Sequence, residues 1–224
     1  MILPNPSIPP MTQINPANPL DIIFVPARID KPLGTIVLLH GWGANNQDLG
    51  DLVPYFKLPE YQFLFPNGIF NHEFSDTGKM WYSFTGAGQF TDRSITQLAT
   101  SRKVLTDWIQ SLPDSTGIPL DRTWIAGFSQ GGAMTLEIGL DLPVAGLMVL
   151  SGYLHSNRPK PAQETPPVLI VHGTQDDVVP IEAARNSQQQ MTAWGVDVKY
   201  QEFNMGHSIV LEVLDVVRKF VTKD

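Results

Sequence analysis

Short apolar runs recur along the chain and alternate with stretches of helical period. Thr35-Ile36-Val37-Leu38-Leu39, Tyr61 to Pro66, Asp121 to Ile125, Ala145 to Gly152 and Val168 to Gly173 read as strands, the most continuous of them buried on both faces. Asp21 to Pro26 predicts an edge strand stopped by proline, and Asp197 to Phe203 alternates as a strand. Between them the pattern predicts a helix through Leu52 to Phe56, capped from among Asn45, Asn46 and Asp48. Residues 91 to 112 form a second helix, with Thr91 as cap, Asp92 in its first turn, and Ile95, Leu98, Leu105, Ile109 and Leu112 on one face. Further helices cover Ala133 to Leu140, Ile181 to Trp194 behind Pro180, and Ser208 to Val221, the last with Ile209, Val213, Leu214, Val217, Phe220 and Val221 inward. Strands alternating with helices define an α/β fold: a mostly parallel central sheet with helices on both faces. In such a sheet, chemistry belongs on the loops at the carboxyl ends of the strands.

Two stretches stand outside this alternation. Residues 1–19 carry Pro4, Pro6, Pro9, Pro10, Pro16 and Pro19 and read as an extended arm; residues 20–224 read as one domain without repeats. From Asn67 to Phe90 no period is visible, but Gly68, Gly78, Gly86 and Gly88 are interspersed with Phe70, Phe74, Trp81, Tyr82 and Phe84. Five large aromatics would otherwise lie exposed, so this loop is expected to wall a pocket.

Composition narrows the classes. Of the 224 residues, 42% are hydrophobic, enough for a large core, and only 17% are charged. The net charge is -7 and no basic stripe occurs, which argues against a nucleic-acid partner. The chain has no cysteine, so thiol nucleophiles, disulfides and Cys-ligated metals are excluded. No apolar run reaches membrane-spanning length, and no basic residue precedes Arg28. A cytoplasmic protein without stable membrane insertion is expected, and dimerisation is left open.

The chemistry centres on Gly127-Phe128-Ser129-Gln130-Gly131, a Gly-x-Ser-x-Gly between a strand and a helix. That is the nucleophile-elbow pattern: Ser129 takes a strained turn, and side chains at Gly127 or Gly131 would collide with neighbouring elements. A serine hydroxyl needs a base, and the base an acceptor, in the chain order Ser, Asp or Glu, His. After Ser129, the loop Thr174-Gln175-Asp176-Asp177 follows one strand and Gly206-His207 follows the next. A triad of Ser129, Asp176 and His207 is therefore expected, although spacing alone barely separates Asp176 from Asp177. Of the other histidines, His172 is expected to shape the acid loop and His40 the loop after its own strand. The oxyanion donors are assigned to the amides of Gln130 and of Trp42 in His40-Gly41-Trp42-Gly43. Trp81, Phe84, Phe128 and Tyr153, with Trp42, suggest an apolar substrate pocket.

These motifs resemble a known family. His-Gly-Trp-Gly-Ala-Asn with Asp48, Gly-Phe-Ser-Gln-Gly-Gly-Ala-Met, Leu-Ser-Gly-Tyr-Leu, His-Gly-x-x-Asp-x-Val-Val-Pro and Gly-His are similar to the phospholipase/carboxylesterase family of α/β-hydrolases, over roughly residues 20 to 223. The resemblance implies an α/β-hydrolase fold and hydrolysis of carboxylic esters or thioesters without cofactor or metal. It puts the acid at Asp176 rather than Asp177. Two features depart from it: Trp42 stands where a small or aliphatic residue is usual, and Met80-Trp81-Tyr82-Ser83 lacks the acid of a Trp-Phe/Tyr-Asp element. The expected substrate is a small ester or acylated molecule with a short to medium acyl chain. An acyl-protein thioesterase or lysophospholipase is the alternative enzyme, and a non-catalytic hydrolase-like binding protein the alternative of another class.

Overall fold

The computed structural model describes residues 20–84 and 90–223, together with the backbone of Thr12 and Gln13. The rest of the expected arm, and Gly86 and Gly88 of the aromatic loop, lie outside the described residues.

The apolar runs do form the centre of the molecule. The strands are β1 (Thr12–Gln13), β2 (Ile22–Val25), β3 (Gly34–Leu39), β4 (Tyr61–Pro66), β7 (Thr123–Phe128), β8 (Gly146–Leu150), β9 (Val168–Gly173) and β10 (Val198–Phe203), with β5 (Phe70–Asn71) and β6 (Lys79–Met80) pairing as a separate small ribbon. The main sheet runs β1-β2-β4-β3-β7-β8-β9-β10. All pairs from β4 to β10 are parallel, whereas β2 joins β4, and β1 joins β2, antiparallel. The strand expected at the edge, β2, is covered along part of its outer side by β1 through Thr12↔Phe24 and Gln13↔Ile23.

Among the described residues, five α-helices clothe this sheet: α1 (Val53–Phe56), α2 (Asp92–Thr116), α3 (Gln130–Gly139), α4 (Ile181–Trp194) and α5 (Leu211–Thr222). Because successive strand residues point to opposite faces, each central strand feeds two cores. Val37, Leu39, Ile125, Val149 and Ile170 face α2, α3 and α4 through Leu105, Ile109, Met134 and Met191. Ile36, Leu38, Ala126, Met148 and Val171 face α1 and α5 through Phe56, Val213, Val217 and Phe220.

Two local expectations are corrected. Asn45, Asn46 and Asp48 do not cap α1, whose N-cap residue is Leu52 and makes no side-chain cap bond. Asn45 and Asp48 instead close their own turn, and buried Asn46 ties to Asp21 and Asn67. Ile95 is not on the inner face of α2 but half exposed; a reciprocal Thr91–Ser94 capping box sets the start of that helix, and buried Ser94 and Ser101 share its inner face.

The sheet order reverses beside β3: β4 lies on one side and β7 on the other. The loops after β3 and β7 therefore leave the sheet side by side, as at the switch point of an open α/β sheet.

Candidate active site

At the end of β7, Ser129 has φ 55° and ψ −118°, a conformation that a residue with a side chain adopts only under constraint. The glycines at offsets of two allow it. A Cβ on Gly131 would sit 2.0 Å from the Leu39 carbonyl oxygen of β3, and one on Gly127 would sit 2.2 Å from the Gly131 carbonyl. Ser129 is thus pressed between two strands and the first turn of α3, and it faces a cavity of about 620 Å³.

The loop after β3 borders the serine. A Cβ on Gly41 would lie 3.5 Å from that of Ser129, and Gly43 takes φ +78°. Its amide and that of Ala44 are satisfied, by Lys79 and Gly41, whereas no hydrogen bond from the Trp42 or Gln130 amide to backbone occurs among the described turns and loops. His40 is buried; its Nε2 accepts from the Gly68 amide and its Nδ1 contacts the Gly41 carbonyl at 2.7 Å. Burial pushes its pKa down to about 4, so a neutral ring with the proton on Nδ1 holds this loop to the next one.

On the same rim, β9 and β10 supply the other two groups. Asp176 Oδ2 lies 2.8 Å from His207 Nδ1, while Oδ1 accepts from the amides of Val178 (3.0 Å) and Val179 (2.8 Å). Burial alone would raise this carboxyl; the His207 hydrogen bond and the two amides outweigh it and hold the pKa below the usual carboxylate range. His172, fully buried, donates from Nε2 to the Val179 carbonyl at 2.8 Å and stands 3.4 Å from Asp176 Oδ2, so it braces the acid loop. Asp177 is exposed. The His207 ring packs on Phe128, centroids 4.7 Å apart, which places it beside the residue preceding Ser129. Ser129 Oγ and His207 make no hydrogen bond to each other among the described residues; such bonds commonly tighten only when substrate binds.

Of the residues expected in the pocket, Phe84 and Tyr153 line the cavity, with Trp42, Phe74, Phe90, Val178 and Pro180. Trp81 and Phe128 do not. Trp81 is wholly buried behind the wall, its indole N–H donating to the His40 carbonyl at 2.9 Å, and Phe128 supports His207 instead. The side chain of Gln130 was not foreseen as a structural tie: it accepts from the Trp81 amide and donates to the Tyr82 carbonyl, fastening the aromatic loop to the elbow. Where the family acid is missing, the Ser83 amide donates to Gln97. A polar side chain immediately after the elbow serine was the only available signal for this tie.

No group of three or more His, Asp or Glu side chains is arranged to hold a metal ion among the described residues. Nor is any described helix long and apolar enough to cross a membrane.

A serine at a strained strand-to-helix turn, on a mostly parallel sheet wrapped by helices, defines an α/β-hydrolase fold. A profile of the Phospholipase/Carboxylesterase family matches residues 20–224, and the chain belongs to that family. It is similar to acyl-protein thioesterase 1 of Neurospora crassa, 33% identical over 224 residues covering 90% of each chain. The solved structure of esterase PE8 superposes with a TM-score of 0.83 at 28% identity, covering 91% of this chain and 98% of that one. A carboxylesterase from Mesorhizobium loti shares the fold, with a TM-score of 0.82 at 18% identity over 96% of this chain and 99% of the other. The protein is accordingly a hydrolase.

Proposed function

We propose that the protein hydrolyses carboxylic esters through an acyl-enzyme, with Ser129 as nucleophile, His207 as base and Asp176 as the acid that orients it. Family membership supports hydrolysis of an ester or thioester. The observation that carries the finer reading is the 2.8 Å pairing of His207 Nδ1 with a buried, doubly hydrogen-bonded Asp176, on the rim where the elbow holds Ser129.

In this mechanism His207 Nε2 takes the Ser129 proton as the hydroxyl attacks the acyl carbonyl. The amides of Trp42 and Gln130, the latter at the amino end of α3, receive the oxyanion. His207 then protonates the leaving alcohol or thiol, and water repeats the sequence on the acyl-enzyme. A largely apolar cavity of this size, with Trp42 at its edge, suits a short to medium acyl chain rather than a long one. Thioester hydrolysis on acylated protein would use the same groups; the similarity to a fungal acyl-protein thioesterase keeps it as a second reading.

Covalent labelling by a fluorophosphonate tests the proposal. The wild-type protein is expected to be labelled at Ser129 and the Ser129→Ala protein not at all. Labelling elsewhere, or esterase activity surviving Ser129→Ala, would remove Ser129 from the role.

A further inference from the structure

Behind the cavity wall runs a chain of polar side chains that the hydrolytic mechanism does not use. It begins at Glu137 of α3, whose side chain is 1% exposed. Glu137 pairs with Arg102 of α2 through one oxygen and contacts His155 Nδ1 at 2.8 Å through the other. His155 Nε2 contacts the Tyr82 hydroxyl at 2.8 Å, and that hydroxyl contacts the Tyr153 hydroxyl at 3.0 Å. Tyr153 lines the cavity beside Ser129. Tyr82, Phe90 and Tyr153 pack edge-on around the His155 ring, with centroids 5.4 to 5.6 Å away, and hold it in place.

With Glu137 ionised and the His155 ring neutral, the direction of every proton in this chain is fixed. Burial would raise the Glu137 carboxyl, but the hydrogen bond and charge of His155 and the charges of Arg102 and Arg158 outweigh it and keep the pKa below the ordinary glutamate value. An ionised carboxylate only accepts, so His155 Nδ1 carries a proton. When the His155 ring is neutral, its Nε2 accepts, and Tyr82 must donate to it. A phenol has one proton; once Tyr82 has committed its own to His155, the contact with Tyr153 requires Tyr153 to donate. The Tyr153 proton is therefore turned inward, and toward a ligand its oxygen offers only a lone pair.

We propose that Tyr153 is a specificity-determining residue that accepts a hydrogen bond from the substrate. The cavity then selects esters whose acyl or alcohol chain carries a hydroxyl or amide N–H, over chains of equal size that carry only a carbonyl at the same place. Glu137, His155 and Tyr82 are positioning residues that act through Tyr153. The proposal rests on the esterase reading for the kind of ligand, but not for the hydrogen-bond direction.

Calorimetry on the Ser129→Ala protein at about pH 8 tests it. The ligands are ethyl esters of short hydroxyalkanoic acids, with the hydroxyl at successive carbons, and their oxo counterparts. At one position the hydroxy ester is expected to bind about tenfold tighter than the oxo ester, the worth of one net hydrogen bond. Adding Tyr153→Phe should bring the pair within about twofold, by loss of that bond. Adding Tyr82→Phe should do the same, because an untethered Tyr153 hydroxyl both donates and accepts; a purely structural role for Tyr82 would weaken both ligands alike. No preference at any position, a preference for the oxo ester, or a preference surviving Tyr153→Phe would overturn the proposal. The free hydroxy and oxo acids, which hold no ester, are run in parallel. Failure of the serine-hydrolase reading, seen as ester consumption by the Ser129→Ala protein, then leaves this comparison readable.

Discussion

His207 Nδ1 lies 2.8 Å from one oxygen of Asp176, whose other oxygen is held by the amides of Val178 and Val179. The carboxylate therefore cannot turn away, and in a neutral His207 ring it holds the proton on Nδ1; in the proposed mechanism that leaves Nε2 to take the Ser129 proton. In an Asp176→Asn protein the two amides would keep the carbonyl oxygen, and the new NH₂ would face Nδ1 and favour the wrong tautomer. The expected outcome is a fall in kcat on the order of 10⁴ with the fold unchanged, by analogy with other triads. Steady-state rates on a soluble nitrophenyl ester, with circular dichroism as control, check it; a loss of less than about tenfold would exclude the orienting role.

The elbow makes a sharper structural prediction. At Gly131 an added Cβ meets the Leu39 carbonyl at 2.0 Å, backbone against backbone, so no rotamer can relieve it. Gly131→Ala is expected to destabilise the protein by about 3 kcal/mol or more, at the upper end of overpacking costs. Gly195→Ala is the comparison: φ is +90° there but nothing lies within 4 Å, so only the left-handed backbone cost of about 1–2 kcal/mol applies. Urea denaturation of both variants should give that order, and equal losses would show that the crowding at Gly131 is relieved by movement of β3.

Why the elbow was readable from sequence and the pocket was not follows from the same geometry. Gly127 and Gly131 are demanded by backbone contacts at fixed offsets from Ser129, so residue type and spacing carry the information. The β-branched and apolar runs were equally legible: β4 and β9 run over Tyr61–Pro66 and Val168–Gly173, as the pattern predicts. Side-chain direction in an aperiodic loop has no such signature. Trp81 and Phe84 stand three residues apart in one aromatic stretch, yet the first is fastened behind the wall by His40, Gln130 and Ser101 while the second faces the cavity. Ile95 fits the helical stripe of α2 by spacing but falls beyond the edge of the core that small Ser94 and Ser101 occupy.

Trp42 supplies a test of chain-length preference. Its ring stands edge-on to His72, centroids 4.1 Å apart, and near Phe84 at 6.4 Å, so the indole is braced where it borders the cavity. Trp42→Leu keeps the backbone amide and removes the braced ring. Longer acyl esters should gain: KM for a chain two methylenes longer than the wild-type optimum is expected to fall roughly tenfold, at about 0.8 kcal/mol per newly buried CH₂. A series of nitrophenyl esters of increasing length reads this directly. An unchanged length profile would place the acyl chain away from Trp42, and a wild-type rate still climbing at palmitate would overturn the short-to-medium reading itself.

Glu137 ties stability to pH. Its folded-state pKa lies below the ordinary value because His155, Arg102 and Arg158 together outweigh its burial. A depressed pKa means that the folded state favours the charged form. The stability it contributes is therefore full above the unfolded-state value of about 4.3, and is lost as pH falls through the lower folded-state value. Glu137→Gln should cost about 2 kcal/mol near neutral pH, the loss of hydrogen bonds to an ionised group. The gap from wild type should then close only as the pH falls through that lower folded-state value, where the native carboxyl also becomes neutral. Urea midpoints of the two proteins across that range give the difference curve. A gap that is already absent near neutral pH would mean that Glu137 is not held as a stabilised carboxylate, and with it the inward orientation of the Tyr153 proton would lose its cause.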